Sequence, residues 1–130
     1  MNLQTSQKVI YLWIILIITM ILHSNYHVGE IFYGIDIVLE SATGVVPTST
    51  HIIRNVFYHL PIIYIMLLLL NDSKVLKLTL FIIAVLYTLS HAMHLFQDLS
   101  PFDGSQTPLL TITLIASVYL SIEHYKYWKE

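Results

Sequence analysis

LPIIYIMLLLLNDSKVLKLTLFIIAVL, residues 60–86, consists of two apolar runs divided by four polar residues. Asn71, Asp72, Ser73 and Lys74 suit a tight turn and a helix start. The runs on either side extend to about residues 51–70 and 75–96, each near the roughly 20 residues that a helix needs to cross a bilayer. This stretch predicts two antiparallel helices joined by a short turn, both long enough to span.

Two further runs complete the pattern, at about residues 8–27 and 108–125. At a rise of 1.5 Å per residue the four helices are each about 27–33 Å long. Pro108 suits the first turn of the last helix, after the longer polar loop QDLSPFDGSQTP at 97–108. Of the 130 residues 56% are hydrophobic and 11% charged, against about 25% charged in soluble domains. Too few charges are available to cover a soluble surface. The expected fold is therefore an all-α integral membrane protein, a single domain over residues 1–130 built as an up-down bundle of four transmembrane helices.

The N-terminus, MNLQTSQKVIYLWIILIITMILHS, has the lysine and apolar core of a signal peptide but no small-x-small cleavage pattern. A retained first helix is expected. Residues 28–50, VGEIFYGIDIVLESATGVVPTST, place Glu30, Asp36 and Glu40 among apolar residues. Spanning would bury those acids at a cost, so an extracytoplasmic interfacial or partly re-entrant segment is expected. Ile31, Ile35, Val38 and Leu39 would form its apolar side, and Gly44 and Pro47 would end it.

Four spans put both termini and the 71–74 turn on one side, with Lys8, Lys74, Lys77, Lys126 and Lys129. The other side has Arg54 as its one basic residue, with Glu30, Asp36, Glu40, Asp98 and Asp103. By the positive-inside rule the termini are cytoplasmic, in a plasma or inner membrane. A spanning 28–50 segment would break that asymmetry. Tyr11, Trp13, Tyr125, Tyr127 and Trp128 suit the cytoplasmic interface.

In this topology six of the seven histidines fall in the extracytoplasmic half. Thr19, His23, His27 and Glu30 follow one face of the first helix. His51, Asn55 and His59 follow one face of the second, and Tyr87, His91, His94 and Asp98 one face of the third. His23, His59 and His91 are expected deepest, roughly 6–12 Å below the surface. Such stripes usually face a bundle interior or a water-filled cavity. The fourth helix carries Thr113, Ser117 and Ser121, a small-residue stripe suited to close packing. Pro61 has no N–H, so it should free the carbonyl of Phe57 and kink the second helix beside His59.

Imidazole is the usual nitrogen ligand of zinc, copper or iron. Neither HAMH nor HSNYH is specific alone, but two pairs plus His59, with carboxylates nearby, form a stronger set. The metal ligands expected are His23, His27, His59, His91 and His94, binding zinc or iron rather than Cu(I), since thiolates are absent. Glu30 or Asp98 would serve as general base and His51 as proton shuttle. The chemistry would be membrane-embedded catalysis on a lipid-like or quinone-like substrate, or metal handling. Two other functions fit the residues. A bis-histidine b-type haem needs only His59 with His91 or His23. A cofactor-free accessory subunit would use the histidines as a buried, pH-responsive network, with a partner membrane subunit or a second copy. Nucleic acid is not an expected partner, because the net charge is -2 and there is no basic patch. No cysteine is present, which excludes disulfides and thiolate chemistry. HExxH, phosphate-binding glycine loops and G-x-S-x-G are likewise missing.

Overall fold

The computed structural model describes residues 3–100 and 102–130. Helices are the regular structure of these residues, and no strand occurs among them. Helix α1 is Thr5–Gly29, followed by a 3-10 turn at Glu30–Tyr33. Helix α2 covers Thr48–Leu70, α3 Lys74–Gln97 and α4 Gln106–Lys129. The first three are long and apolar enough to cross a membrane. The turn at NDSK forms as its residues dictate. Asn71 Oδ1 accepts from the Ser73 amide at 2.8 Å. Ser73 Oγ accepts from the Leu76 amide at 3.3 Å, capping α3.

Helix α4 packs along both α1 and α3, and α1 also meets α2. The core is formed by Val9, Trp13, Leu16, Leu80, Ala84 and Leu120, all almost wholly buried. Although consecutive, α2 and α3 share little close backbone contact. Large rings bridge them instead. Tyr87 of α3 lies 5.4 Å from Phe57 and 6.4 Å from Tyr64 of α2. Trp13 of α1 joins the group, 5.1 Å from Tyr87 and 5.2 Å from Tyr64.

Flanked on two sides, α4 is the most polar inside, burying Gln106, Thr107, Thr113, Ser117, Glu123 and His124. Its small-residue stripe packs closely against α3, where Thr88 Oγ1 lies 2.8 Å from the Ser117 carbonyl and 2.9 Å from Ser121 Oγ. Trp13 Nε1 donates to His124 Nε2 at 2.9 Å across the α1–α4 contact. The outward faces are the reverse, with Ile18, Ile63, Leu69, Ile82, Leu86 and Ile115 exposed.

One end of the bundle holds the start of α1, the end of α4 and the 71–73 turn. Thr5 Oγ1 donates to Glu130 Oε1 at 2.5 Å, and Glu123 sits between Lys126 at 2.6 Å and Lys8 at 3.8 Å. Asp72 accepts from Tyr127 Oη at 2.6 Å and pairs with Lys77 at 2.9 Å. The Tyr127 hydroxyl, then Lys77, hold the Asp72 carboxyl below the usual carboxylate range. The other end carries the 28–50 and 98–105 connections.

The 28–50 segment is less ordered into helix than its apolar spacing suggests. After the 3-10 turn, Gly34 takes a left-handed φ of 77°, and irregular backbone continues to Pro47, the residue that caps α2. Gly44, also left-handed at φ 75°, falls where the segment was expected to end. Ile31, Ile35, Val38 and Leu39 are all exposed, as are Phe32 and Tyr33. Arg54, near the start of α2, forms no ion pair among the described residues.

Pro61 distorts α2 one residue earlier than its missing N–H alone implies. The helix is α-helical over Thr48–Arg54, π-helical over Asn55–His59 and α-helical again over Leu60–Leu70. The Leu60 amide donates to the Asn55 carbonyl, the i→i−5 bond of a π turn. That leaves the Val56 carbonyl without Leu60, and Pro61 has no N–H to replace it. The Tyr87 hydroxyl of α3 donates to it instead.

Candidate metal centre

Three side chains at the C-terminal ends of α1 and α3 converge. His23, His94 and Asp98 offer donor atoms that all lie within 4.8 Å of one another. His23 comes from the last turns of α1. His94 and Asp98 come from the last turn of α3 and the residue that ends it, four apart, with His94 Nε2 3.1 Å from Asp98 Oδ2. Spacing of i and i+4 places the two on one face. The His23 ring lies 4.8 Å from that of His94 and 4.7 Å from that of His27, edge to face in both cases. His27 therefore flanks His23, outside the group whose donor atoms converge.

Helix α4 fixes the orientation of His23. The Gln106 amide oxygen can only accept, so His23 Nδ1–H donates to it, at 2.6 Å. The Gln106 amide nitrogen donates in turn to the His23 carbonyl at 3.4 Å. Both bonds agree on which way the amide points. With its proton on Nδ1, His23 keeps the lone pair of Nε2 for a metal. Metal-ligating histidines commonly donate their other ring N–H in this way.

Gln106 is itself anchored. Asp103 Oδ1 accepts from the backbone amides of Gln106 at 2.6 Å and Ser105 at 2.7 Å, capping the start of α4. Those two amides, Gln106 first, hold the Asp103 carboxyl below its ordinary pKa. The cluster opens on a cavity of about 450 Å³ lined by His23, His27, His94, Gln97, Asp98, Ser100, Asp103 and Gln106.

Other expected site residues lie elsewhere. Glu30 lines an adjoining cavity of about 370 Å³, which shares Asp103 and Gln106 with the first. His51 is exposed on α2 and lines neither. His59 is also exposed, its Nδ1 donating to Asn55 Oδ1 within α2 at 2.7 Å. Neither side chain joins the converging donor group. His91 is 3% exposed, with its ring against Phe57 at 5.6 Å and Tyr87 at 6.1 Å. It faces α2, not α1, and its Nε2 has no hydrogen-bond partner among the described residues.

Gln106 and Asp103 were not among the expected site residues. With the last helix expected from Pro108, they counted as loop. The available signal was the spacing Asp103–Gln106, an acid positioned to cap the turn that Gln106 begins.

A two-nitrogen, one-carboxylate set suits zinc or non-haem iron and leaves coordination positions open. Zinc bonds of about 2.0–2.1 Å imply donors about 3.4 Å apart, so His94 and Asp98, at 3.1 Å, would open slightly to hold an ion between them. No protein-family model, curated protein or solved structure matches this chain, which leaves the site itself to carry the functional argument.

Proposed function

We propose that this chain is a four-span membrane protein that holds a divalent ion, zinc or iron, at the extracytoplasmic end of its bundle. His23, His94 and Asp98 are the ligands, His27 stands ready as a fourth, and Gln106 orients His23. Convergence of three donor residues from two helices on one open cavity carries this proposal. The distribution of polarity supports the membrane setting, because Ile and Leu cover the outside while histidine, glutamine and threonine are buried. Metal-bound water in the open position would make the site suited to membrane-embedded catalysis, with Glu30 in the adjoining cavity as a nearby carboxylate. Reversible loading would make it suited to metal handling. The basic end, with the termini, faces the cytoplasm.

The test is metal analysis and zinc titration of the detergent-solubilised full chain. One equivalent of zinc should bind, and His23→Ala, His94→Ala or Asp98→Ala should each abolish or greatly weaken binding. His59→Ala and His51→Ala should leave it unchanged. An unaltered affinity in His23→Ala would sink the assignment. Failure of the parent protein to bind any divalent ion would favour the cofactor-free network. The existing His23–Gln106 and His94–Asp98 bonds are the observation behind that second possibility.

A further inference from the structure

A third cavity adjoins the cluster through His94 and Gln97, and its make-up differs. It measures about 370 Å³ and is bounded by residues from three helices. Met20 of α1 is buried beneath it, Ile53 and Phe57 of α2 form one wall, and Ser90, His91 and Met93 of α3 are on the other side. His94 and Gln97 line this cavity and the metal-centre cavity alike. It lies between α2 and α3, beside the rings that bridge them. Ile53 and Met93, at 58% and 64% exposed, stand at the sides of the gap. The gap therefore faces sideways from the bundle, toward lipid if the helices span.

Two features indicate an occupant. The first is His91, with an Nε2 that lacks any partner among the described residues although the side chain is almost wholly buried. A buried polar atom left unpaired is costly, and such atoms call for an explanation. The second is charge. Among the described residues no carboxylate, lysine or arginine lines this cavity, while Asp98 and Asp103 line the one next to it. An anionic head would be repelled there, and a cationic one would find no carboxylate in this cavity. Uncharged hydrogen-bonding groups from Ser90, His91 and Gln97 would match an uncharged oxygen-bearing head, and Met20, Ile53, Phe57 and Met93 an alkyl chain.

We propose that this cavity admits, sideways from the bilayer between α2 and α3, a single-chain lipid alcohol, whose hydroxyl is presented past His94 to the metal centre. The inference rests on the metal-centre proposal for its purpose, since it names the substrate class of that site. It rests on the cavity alone for its binding. A sideways entrance explains why the gap between two consecutive helices is filled by rings on one level and left open on the next. It also gives a role to His91, which the metal centre leaves unused.

The test uses the full chain in phosphatidylcholine nanodiscs and a hexadecanol analogue with a photoreactive group in its chain. Labelling should be saturable and concentrated on Ile53, Phe57 and Met93, with free hexadecanol competing at least tenfold better than hexadecane or palmitate. Met93→Trp, a change at an exposed position that leaves the core untouched, should narrow the entrance and cut labelling at Ile53 and Phe57 at least fivefold. Labelling of outward-facing Ile112 should not change. His91→Phe should retain labelling but lose the preference for alcohol over alkane. Even labelling around the bundle, no effect of Met93→Trp, or an intact alcohol preference in His91→Phe would each overturn the proposal. Zinc titration of the same nanodiscs separates the two sites. Saturable, alcohol-selective labelling without zinc binding would sink the metal centre and uphold the lipid cavity, whereas zinc binding with non-saturable labelling would do the reverse.

Discussion

At the residue scale the proposed centre would depend on Gln106 as much as on its ligands. A histidine ring has two tautomers, and one of them puts a proton where a metal must bind. Gln106 Oε1 accepts from Nδ1–H of His23 and so selects the tautomer with Nε2 free. Asp103, bonded to the Gln106 amide, fixes where that side chain starts. Gln106→Leu is expected to weaken zinc binding by about 10–100-fold, the usual cost of losing such a partner. Gln106→Glu still presents an acceptor to Nδ1–H and should stay close to the parent affinity. Competition against a chromophoric chelator measures both, and the ¹⁵N shifts of the His23 ring report the tautomer. Equal affinities for Leu and Glu variants would show that Gln106 acts only by packing.

At the element scale the irregular part of α2 explains where the histidines go. A regular helix would give the Val56 carbonyl to Leu60. The π turn gives Leu60 to Asn55, Pro61 has nothing to offer, and Tyr87 supplies the bond from α3. Tyr87→Phe strands a carbonyl and is expected to destabilise the protein by about 1–3 kcal/mol, the range for an unsatisfied buried acceptor. Pro61→Ala restores a backbone N–H within reach, so in the Tyr87→Phe background it should recover part of that loss. Denaturant titration in micelles of the two single variants and the double variant measures the coupling. Strict additivity would mean that Tyr87 and Pro61 serve different groups. The example also marks a limit of sequence reading. Proline shows that a backbone bond is missing, and the kink could be foreseen. Which carbonyl loses its donor depends on a π turn, and that turn is held by a tyrosine 31 positions along the chain. No local spacing encodes such a bond, so His59 was grouped with His23 and His91 when the structure turns it toward Asn55.

At the scale of the whole molecule, the strongest periodic signals were also the most legible. Apolar runs on either side of NDSK gave α2 and α3 with their turn, because length and hydropathy act over whole helices. Matching depths on α1 and α3 suggested that their histidines face each other, but they set His23 level with His59 and His91, whereas the structure brings it to His94 and Asp98; Gln106 was hidden by a helix start two residues earlier than Pro108 implied. The arrangement of ends is equally plain in the structure. Thr5 meets Glu130, and Asp72 of the 71–73 turn meets Tyr127 of α4, so these segments share one end while the histidine cluster occupies the other. In a membrane the two ends would face opposite compartments, and the positive-inside rule makes the lysine-bearing end the proposed cytoplasmic one. The chain has no cysteine, so single cysteines can be introduced without a background. Thr43→Cys and Ser100→Cys, both exposed positions at the histidine end, should react in intact cells with a membrane-impermeant maleimide. Asn71→Cys and Lys129→Cys should react only after permeabilisation. Reaction of all four in intact cells would deny a sealed orientation, and the opposite pattern would place the metal centre on the cytoplasmic side. If the two pairs divide as expected, α2 and α3 each cross once between labelled ends, and an extracellular chelator should strip the centre without entering the cell.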